Sequence, residues 1–207
     1  MSRVLVSVCA LAFFLLAPPA SGSEWEIDAS HSSAQFAVRH FMVSTVRGTF
    51  GTLSGSVNLD EQDITQSSVA AEIDVTSIDT REAKRDEHLR GSDFFDVEHY
   101  PTMRFVSKKV EQTDATRYTV TGDLTMRGVT REVAFAVEGS SSPITDPWGN
   151  LRLGGVATAT IDRTEFGLSY NRLLEAGGVT IGEEVRITID FELTPKQAER
   201  NHRGETE

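Results

Sequence analysis

Leu151-Arg152-Leu153-Gly154-Gly155-Val156-Ala157-Thr158-Ala159-Thr160-Ile161 places Leu151, Leu153, Gly155, Ala157, Ala159 and Ile161 on every second position. A repeat of two belongs to extended backbone, whose successive side chains point to opposite faces. The stretch therefore reads as a β-strand with one apolar face. Its residue sizes say more. Gly155, Ala157 and Ala159 stand where a solid core would want Leu, Ile or Val. Either this face looks into a cavity, or the small residues relieve crowding where the sheet bends or bulges.

The same alternation runs outward in both directions. Phe36, Val38 and His40 share a face, as do Leu53, Gly55, Val57 and Leu59, and then Val69, Ala71, Ile73 and Val75. Met103 and Phe105 follow, then Tyr118, Val120, Gly122, Leu124 and Met126, then Val133, Phe135 and Val137. Val185, Ile187, Ile189 and Phe191 form the last set, opposite Arg186, Thr188 and Asp190. Arg127-Gly128 and Asp146-Pro147-Trp148-Gly149 supply turn chemistry between runs. Strands with one apolar and one polar face suit an antiparallel sheet that is wet on one side. With one helix to cover it, such a sheet folds onto itself as a closed barrel or a two-sheet sandwich. A barrel of about eight strands is just wide enough to be filled by side chains or to hold one slender ligand.

The helix is expected between Ser77 and Phe95, a charged segment in which only Ala83 and Leu89 are clearly apolar before Phe94 and Phe95. Asp79 and Glu82 form a capping pair at its start, and Gly91 stops it. So thin an apolar face needs an anchor, and Phe94 and Phe95 provide one by docking into something greasy. Arg81, Lys84, Arg85 and Arg90 alternate with Glu82, Asp86, Glu87 and Asp93, with Asp86 and Arg90 at i,i+4 spacing. That pattern reads as a self-neutralising solvated face, and Arg127 and Arg163, near turns, read as exposed in the same way.

The chain opens as a secretory signal peptide does: Arg3, an apolar run from Val4 to Ala17, and a small-residue exit at Pro18-Pro19-Ala20-Ser21-Gly22. Cleavage after Gly22 is expected, which discards Cys9, the single cysteine among 207 residues. Disulfides and thiol chemistry are then excluded from the mature chain. Loss of residues 1–22 leaves 185 residues and moves the formal charge from −11 to −12, because Arg3 is the only charged residue removed. An acidic, exported chain of this kind is repelled by nucleic acid and by anionic headgroups, so neither nucleic-acid binding nor stable membrane insertion is expected. Residues 23–194 read as one domain and residues 195–207 as a polar, flexible tail.

Catalytic patterns are missing. Gly167-Leu168-Ser169-Tyr170-Asn171 lacks the closing glycine of a nucleophile elbow, and there is no phosphate loop or zinc-protease pattern. His31, His40, His88, His99 and His202 show no metal-ligand spacing, so neither catalytic nor metal residues are assigned. His40 lies in register with Phe36 and Val38. It is a buried neutral imidazole, a polar contact for a ligand headgroup, or, in a less economical reading, a general base for a lipid-modifying enzyme. A closed-core interaction protein with an acidic docking face is a third reading.

Ordered motifs across the chain resemble the YceI-like polyisoprenoid-binding family. They are Trp25-Glu26-Ile27-Asp28, Phe36-Ala37-Val38-Arg39-His40, Val46-Arg47-Gly48-Thr49-Phe50, Ser77-Ile78-Asp79-Thr80, Arg85-Asp86-Glu87-His88-Leu89, Asp93-Phe94-Phe95-Asp96, Gly122-Asp123-Leu124-Thr125-Met126-Arg127-Gly128 and Arg163-Thr164-Glu165-Phe166-Gly167. The resemblance spans Trp25 to Leu193. It implies an all-β, lipocalin-like antiparallel barrel with one short helix packed near its mouth. It further implies a periplasmic or secreted, non-catalytic protein that holds a long-chain isoprenoid, a quinone or a polyprenyl lipid, for transport or storage, with no cofactor besides that ligand. A second copy of the chain is an allowed partner. The residues expected to line the ligand are the inward ones: Phe36, Val38, His40, Phe50, Ile73, Phe94, Phe95, Met103, Phe105, Leu124, Met126, Gly155, Ala157 and Ala159.

Overall fold

The computed structural model describes residues 22–140, 142–173 and 179–196. The strands are β1 (Gly22–Ile27), β2 (Ser33–His40), β3 (Ser44–Phe50), β4 (Leu53–Asp60), β5 (Ser68–Asp74) and β6 (Ile78–Asp79). Helix α1 (Ala83–Arg90) follows, then β7 (Thr102–Asp114), β8 (Arg117–Met126), β9 (Val129–Gly139), β10 (Ile144–Thr145), β11 (Leu151–Asp162) and β12 (Ile181–Pro195). Every pairing between these strands is antiparallel. Strands β1, β4, β5, β7, β8, β9, β11 and β12 pair in that order, and β12 returns to β1, which closes an eight-stranded barrel.

The longest strand makes that closure. One edge of β12 pairs with β11 from Leu193 to Glu184, while its other edge serves two partners. Leu193 to Pro195 pair with β1, and Asp190 to Ile181 pair with β2. Between those partners the chain turns a corner at Asp28–Ser32, where the Asp28 amide donates to the Glu192 carbonyl at 2.9 Å. A bulge interrupts the pairing of β12 with β2 between Ile181 and Val185. The β8–β9 turn is Arg127-Gly128, both with left-handed φ of 49° and 72°, as a tight hairpin requires. Pro195 still belongs to β12, and the Lys196 amide donates to the Glu24 carbonyl, so sheet pairing reaches into the segment read as tail. Residues 1–21, which carry most of the signal-peptide reading, and 197–207 lie outside the described residues.

The core divides in two. A large cluster gathers Phe50, Val75, Ile78, Met103, Leu124, Met126, Phe135, Ile161, Phe166 and Leu168, with Leu89 and Phe95 packed on it. A smaller one gathers Trp25, Leu153 and Leu193 with Ile27, Val57 and Phe191, and the Trp25 indole N–H donates to the Ser23 hydroxyl at 2.8 Å.

Helix α1 departs from the sequence expectation at both ends. Glu82 is itself the N-cap, its carboxylate accepting from the amides of Lys84 and Arg85, while Asp79 accepts from the Arg81 amide in a separate turn. Gly91 does stop the helix, but with φ of −69°, so it does not use glycine's left-handed freedom there. The charged face is not simply solvated. Asp86 is buried and accepts from the Thr80 amide at 2.9 Å and from its hydroxyl at 2.5 Å, in place of an i,i+4 pair with Arg90. Arg85 donates to the Thr80 hydroxyl and carbonyl, and Arg90 to the carbonyls of Thr76 and Ile78. These bonds replace the apolar face that α1 lacks and stitch it to the strand before it.

Candidate ligand-binding lumen

Two cavities occupy the barrel, of about 650 and 560 Å³. Both sizes fall in the range of small-molecule sites, which are concave and mostly apolar. Leu53, Ala71, Phe105, Phe135 and Ile189 line both, so the two are chambers of one lumen with a common wall. In that wall the rings of Phe105 and Phe135 meet edge to face, 5.2 Å between centroids.

The first chamber opens beside α1. Phe36, Val38, His40, Phe50, Ile73, Phe94, Phe95, Met103, Phe105, Leu124 and Met126 all line it. Period-two alternation puts the strand residues there, and the segment after α1 delivers the two phenylalanines. Phe94 is buried against Tyr170 and His88, each ring 5.0 Å away, and Phe95 stands 6.0 Å from Phe50. His88 is held in turn by the Asp93 carboxylate at 3.0 Å. The His40 ring lies 4.0 Å from Phe41 and, among the described residues, has no hydrogen-bond partner to orient it as a base.

The second chamber is lined by Ile27, Val57, Leu59, Leu153, Ala157, Phe191 and Leu193, with Asp60, Glu61, Gln62, Ser140 and Ser142 toward its rim. Of Gly155, Ala157 and Ala159, only Ala157 is part of a chamber wall, beside Gly154. Ala159 is buried in the main cluster. Gly155 corrects the sequence reading: a Cβ there would lie 2.4 Å from the Glu138 carbonyl oxygen and 2.7 Å from the Gly139 Cα. The glycine serves close approach of two strands rather than lumen space. Gly122 is similar, because the Phe105 ring fills the room that it leaves.

Two arginines also differ from expectation. Arg163 is buried, only 5% exposed, and donates to the carbonyls of Gly182, Leu168 and Ile181. Burial pushes its guanidinium below the usual arginine range. Arg127 ties the carbonyls of Gly167 and Ser92 together, joining the loop after β11 to the loop after α1. A visible signal pointed to the first. Arg163 continues the inward alternation of Ala157, Ala159 and Ile161. Arg85, Tyr170 and Arg172, which add polar groups to the first chamber, carry no comparable signal.

Asp28, His31 and Glu192 converge closely enough to hold a cation, but a cation is already there. Arg152 Nη1 lies 2.9 Å from Asp28 and 2.8 Å from Glu192, and its Nε lies 3.2 Å from Asp146. The cluster pins the corner between β1 and β2 to β11 and β12.

A closed antiparallel barrel with a partitioned apolar lumen and a helix at one opening is the architecture of a lipocalin-like binding protein. Residues 25–193 match the YceI-like domain model, and the chain belongs to that family. A UPF0312 protein of Staphylococcus epidermidis is 36% identical over 172 residues, 83% of this chain and 98% of that protein. A UPF0312 protein of Staphylococcus aureus is 34% identical over the same length and the same shares. Among solved structures, Burkholderia cenocepacia BcnA superimposes with a TM-score of 0.68 at 25% identity, covering 80% of this chain and 98% of that one. A polyisoprenoid binding domain from Saccharophagus degradans shares the fold, with a TM-score of 0.61 at 15% identity over 83% of this chain and 98% of that one.

Proposed function

We propose that this protein is an exported, non-catalytic carrier or store for a long-chain isoprenoid, a quinone or a polyprenyl lipid, held in the two chambers. The observation that carries the reading is the lumen itself. Its first chamber is walled by aromatic and aliphatic side chains from at least five strands and the segment after α1, where a protein without a ligand would pack a solid core. The polyisoprenoid binding domain of Saccharophagus degradans, built on the same fold, supports the choice of ligand class. The apolar run from Val4 to Ala17 supports export.

Polar groups are few and clustered, which suits a ligand with one small headgroup and a long tail. His40, Arg85, His88, Tyr170 and Arg172 stand at the α1 end, where a headgroup would meet hydrogen-bonding partners. The tail lies along the remaining wall. At about 0.3 kcal/mol per heavy atom, about 25 buried carbons would give about 7 to 8 kcal/mol and micromolar binding.

Organic extraction of the protein purified from its native host, followed by mass spectrometry, tests the reading. A stoichiometric isoprenoid is the expected result. An extract that is empty, or that holds only saturated acyl chains, would overturn it.

A further inference from the structure

The opening of the first chamber carries a surface that the lumen does not explain. The turn between β2 and β3 is Phe41-Met42-Val43, and these side chains are 44%, 53% and 79% exposed. Leu173, from the loop that leads to β12, is 87% exposed. Phe41 and Leu173 also line the chamber, so the apolar patch is continuous with the apolar wall inside. Four large apolar side chains in water at the mouth of a greasy cavity are costly unless something covers them.

The charge around them identifies the occupant. The chain carries 31 acidic residues, yet no Asp or Glu occurs between Asp28 and Asp60, the span that holds β2, β3 and their turn. That span does hold Arg39 and Arg47, both exposed, and exposed Arg172 precedes Leu173. None of the three has a carboxylate within salt-bridge distance among the described residues. Arg39 instead donates to the Met42 carbonyl and the Thr45 hydroxyl, which stiffens the turn, and Arg172 donates to the Tyr170 hydroxyl. The acidic residues nearest these arginines are Glu183 and Glu184, in the bulge of β12 whose Gly182 lies against Arg39, and Asp79 of β6, which pairs with Thr49 two residues from Arg47. Apolar side chains flanked by cations on an otherwise acidic protein are the pattern of a peripheral membrane contact, in which the tip enters the headgroup boundary and arginines meet anionic phosphates.

We infer that the Phe41–Val43 turn and Leu173 dock onto an anionic lipid surface and set the mouth of the lumen against the leaflet. Local charge outweighs net charge here, because screening at physiological salt limits the reach of the distant carboxylates to about 8 Å. The contact is shallow and reversible, with four apolar side chains and no membrane-crossing helix among the described residues. It provides a short passage: a tail moving between bilayer and chamber passes Phe41 and Leu173, which belong both to the exposed patch and to the chamber wall. That last step rests on the lipid-carrier reading; the docking itself does not.

The test uses the mature chain, delipidated, in flotation with vesicles of phosphatidylcholine alone or of phosphatidylcholine with phosphatidylglycerol. The parent should float with the anionic vesicles and not with the neutral ones, and added salt should release it. Phe41 and Met42 have positive φ of 48° and 60°, a conformation that aspartate tolerates, so Met42→Asp can remove the tip without breaking the turn. Met42→Asp should lower partition by about tenfold or more, and Arg47→Gln with Arg172→Gln by about tenfold, with melting temperatures unchanged. No flotation of the parent, or flotation equal on neutral vesicles, would overturn the inference. So would a concentration-dependent dimer that Met42→Asp dissolves, since the patch would then belong to a second copy. Extraction of a lipid from the native protein tests the carrier reading separately and can fail while docking stands.

Discussion

A guanidinium buried as deeply as that of Arg163 keeps its charge only because carbonyl oxygens replace the water it has lost. Three carbonyls do so, from two segments that must meet for the barrel to close near α1. Arg163→Lys keeps the charge but not the fork, and should cost about 2 kcal/mol, read as a lower urea midpoint at an unchanged slope. An unshifted midpoint would mean that water, not the carbonyls, solvates the group. His31 makes a different kind of prediction. Its imidazole is held above the usual value near 6.5, first by its hydrogen bond to Asp28 and then by the charges of Asp28 and Glu192. Asp28 is held well below the carboxylate range, chiefly by the Ser30 hydroxyl and then by His31. A group whose folded pKa is raised adds stability in full below its unfolded pKa and loses it as pH climbs through the folded one. His31→Gln should therefore melt below the parent at about pH 5.5, and the gap should close by about pH 9. Asp28 acts in the opposite sense and only toward strong acid. A gap that widens with pH would refute the assignment. Roles such as these were hard to read from the sequence, because an arginine near a turn is exposed far more often than not. Only the two-residue step from Ile161 to Arg163 marked this one as inward.

Strands were legible where one face is buried and the other is wet. Leu151 to Ile161 is β11 almost to the residue, and Val185 to Phe191 lies within β12. What alternation cannot convey is which inward positions meet space and which meet a neighbouring strand, since that depends on how the sheet coils. Gly155 and Ala157 separate the two cases within one strand. Gly155→Ala should destabilise by about 1 to 3 kcal/mol, because the carbonyl of Glu138 and the Cα of Gly139 are backbone and cannot step aside. Ala157→Phe should leave the melting temperature of lipid-free protein nearly unchanged while sharply reducing co-purified lipid. The reverse ranking of stabilities would show that the second chamber is packed. Helix α1 was visible as a helix, but its attachment was not, because the pairing of Asp86 with Thr80 bridges a turn rather than a helical repeat. Thr80→Val removes one donor to Asp86 and one acceptor of Arg85. Amide exchange across residues 83–90 should accelerate, with β7 and β8 unaffected. Uniform acceleration over the barrel would mean that α1 opens only with the whole fold.

Taken as one body, the protein is an apolar tube with unlike ends. The α1 end carries His40, Arg85, His88 and Arg172, and the other carries Asp60 and Glu61. A tailed lipid should enter head-outward at the α1 end, and affinity should rise with tail length until both chambers are filled. Isothermal titration with isoprenoid quinones of increasing length measures this, and an affinity independent of length would count against a threaded tail. Phe105→Ala should move the length at which affinity levels off, because the wall between the chambers loses one of its two facing rings.

The strand that closes the barrel has a consequence for how the molecule comes into being. β12 is the last of the described strands to be made, yet β1, β2 and β11 all pair with it. Until it emerges, the nascent sheet has a seam running its whole height, with two rows of unpaired amides and carbonyls and a greasy interior laid open. Contacts so distant along the chain place folding in the roughly millisecond-to-second regime. A barrel that cannot zip shut until β12 arrives stays threadable until that strand is made.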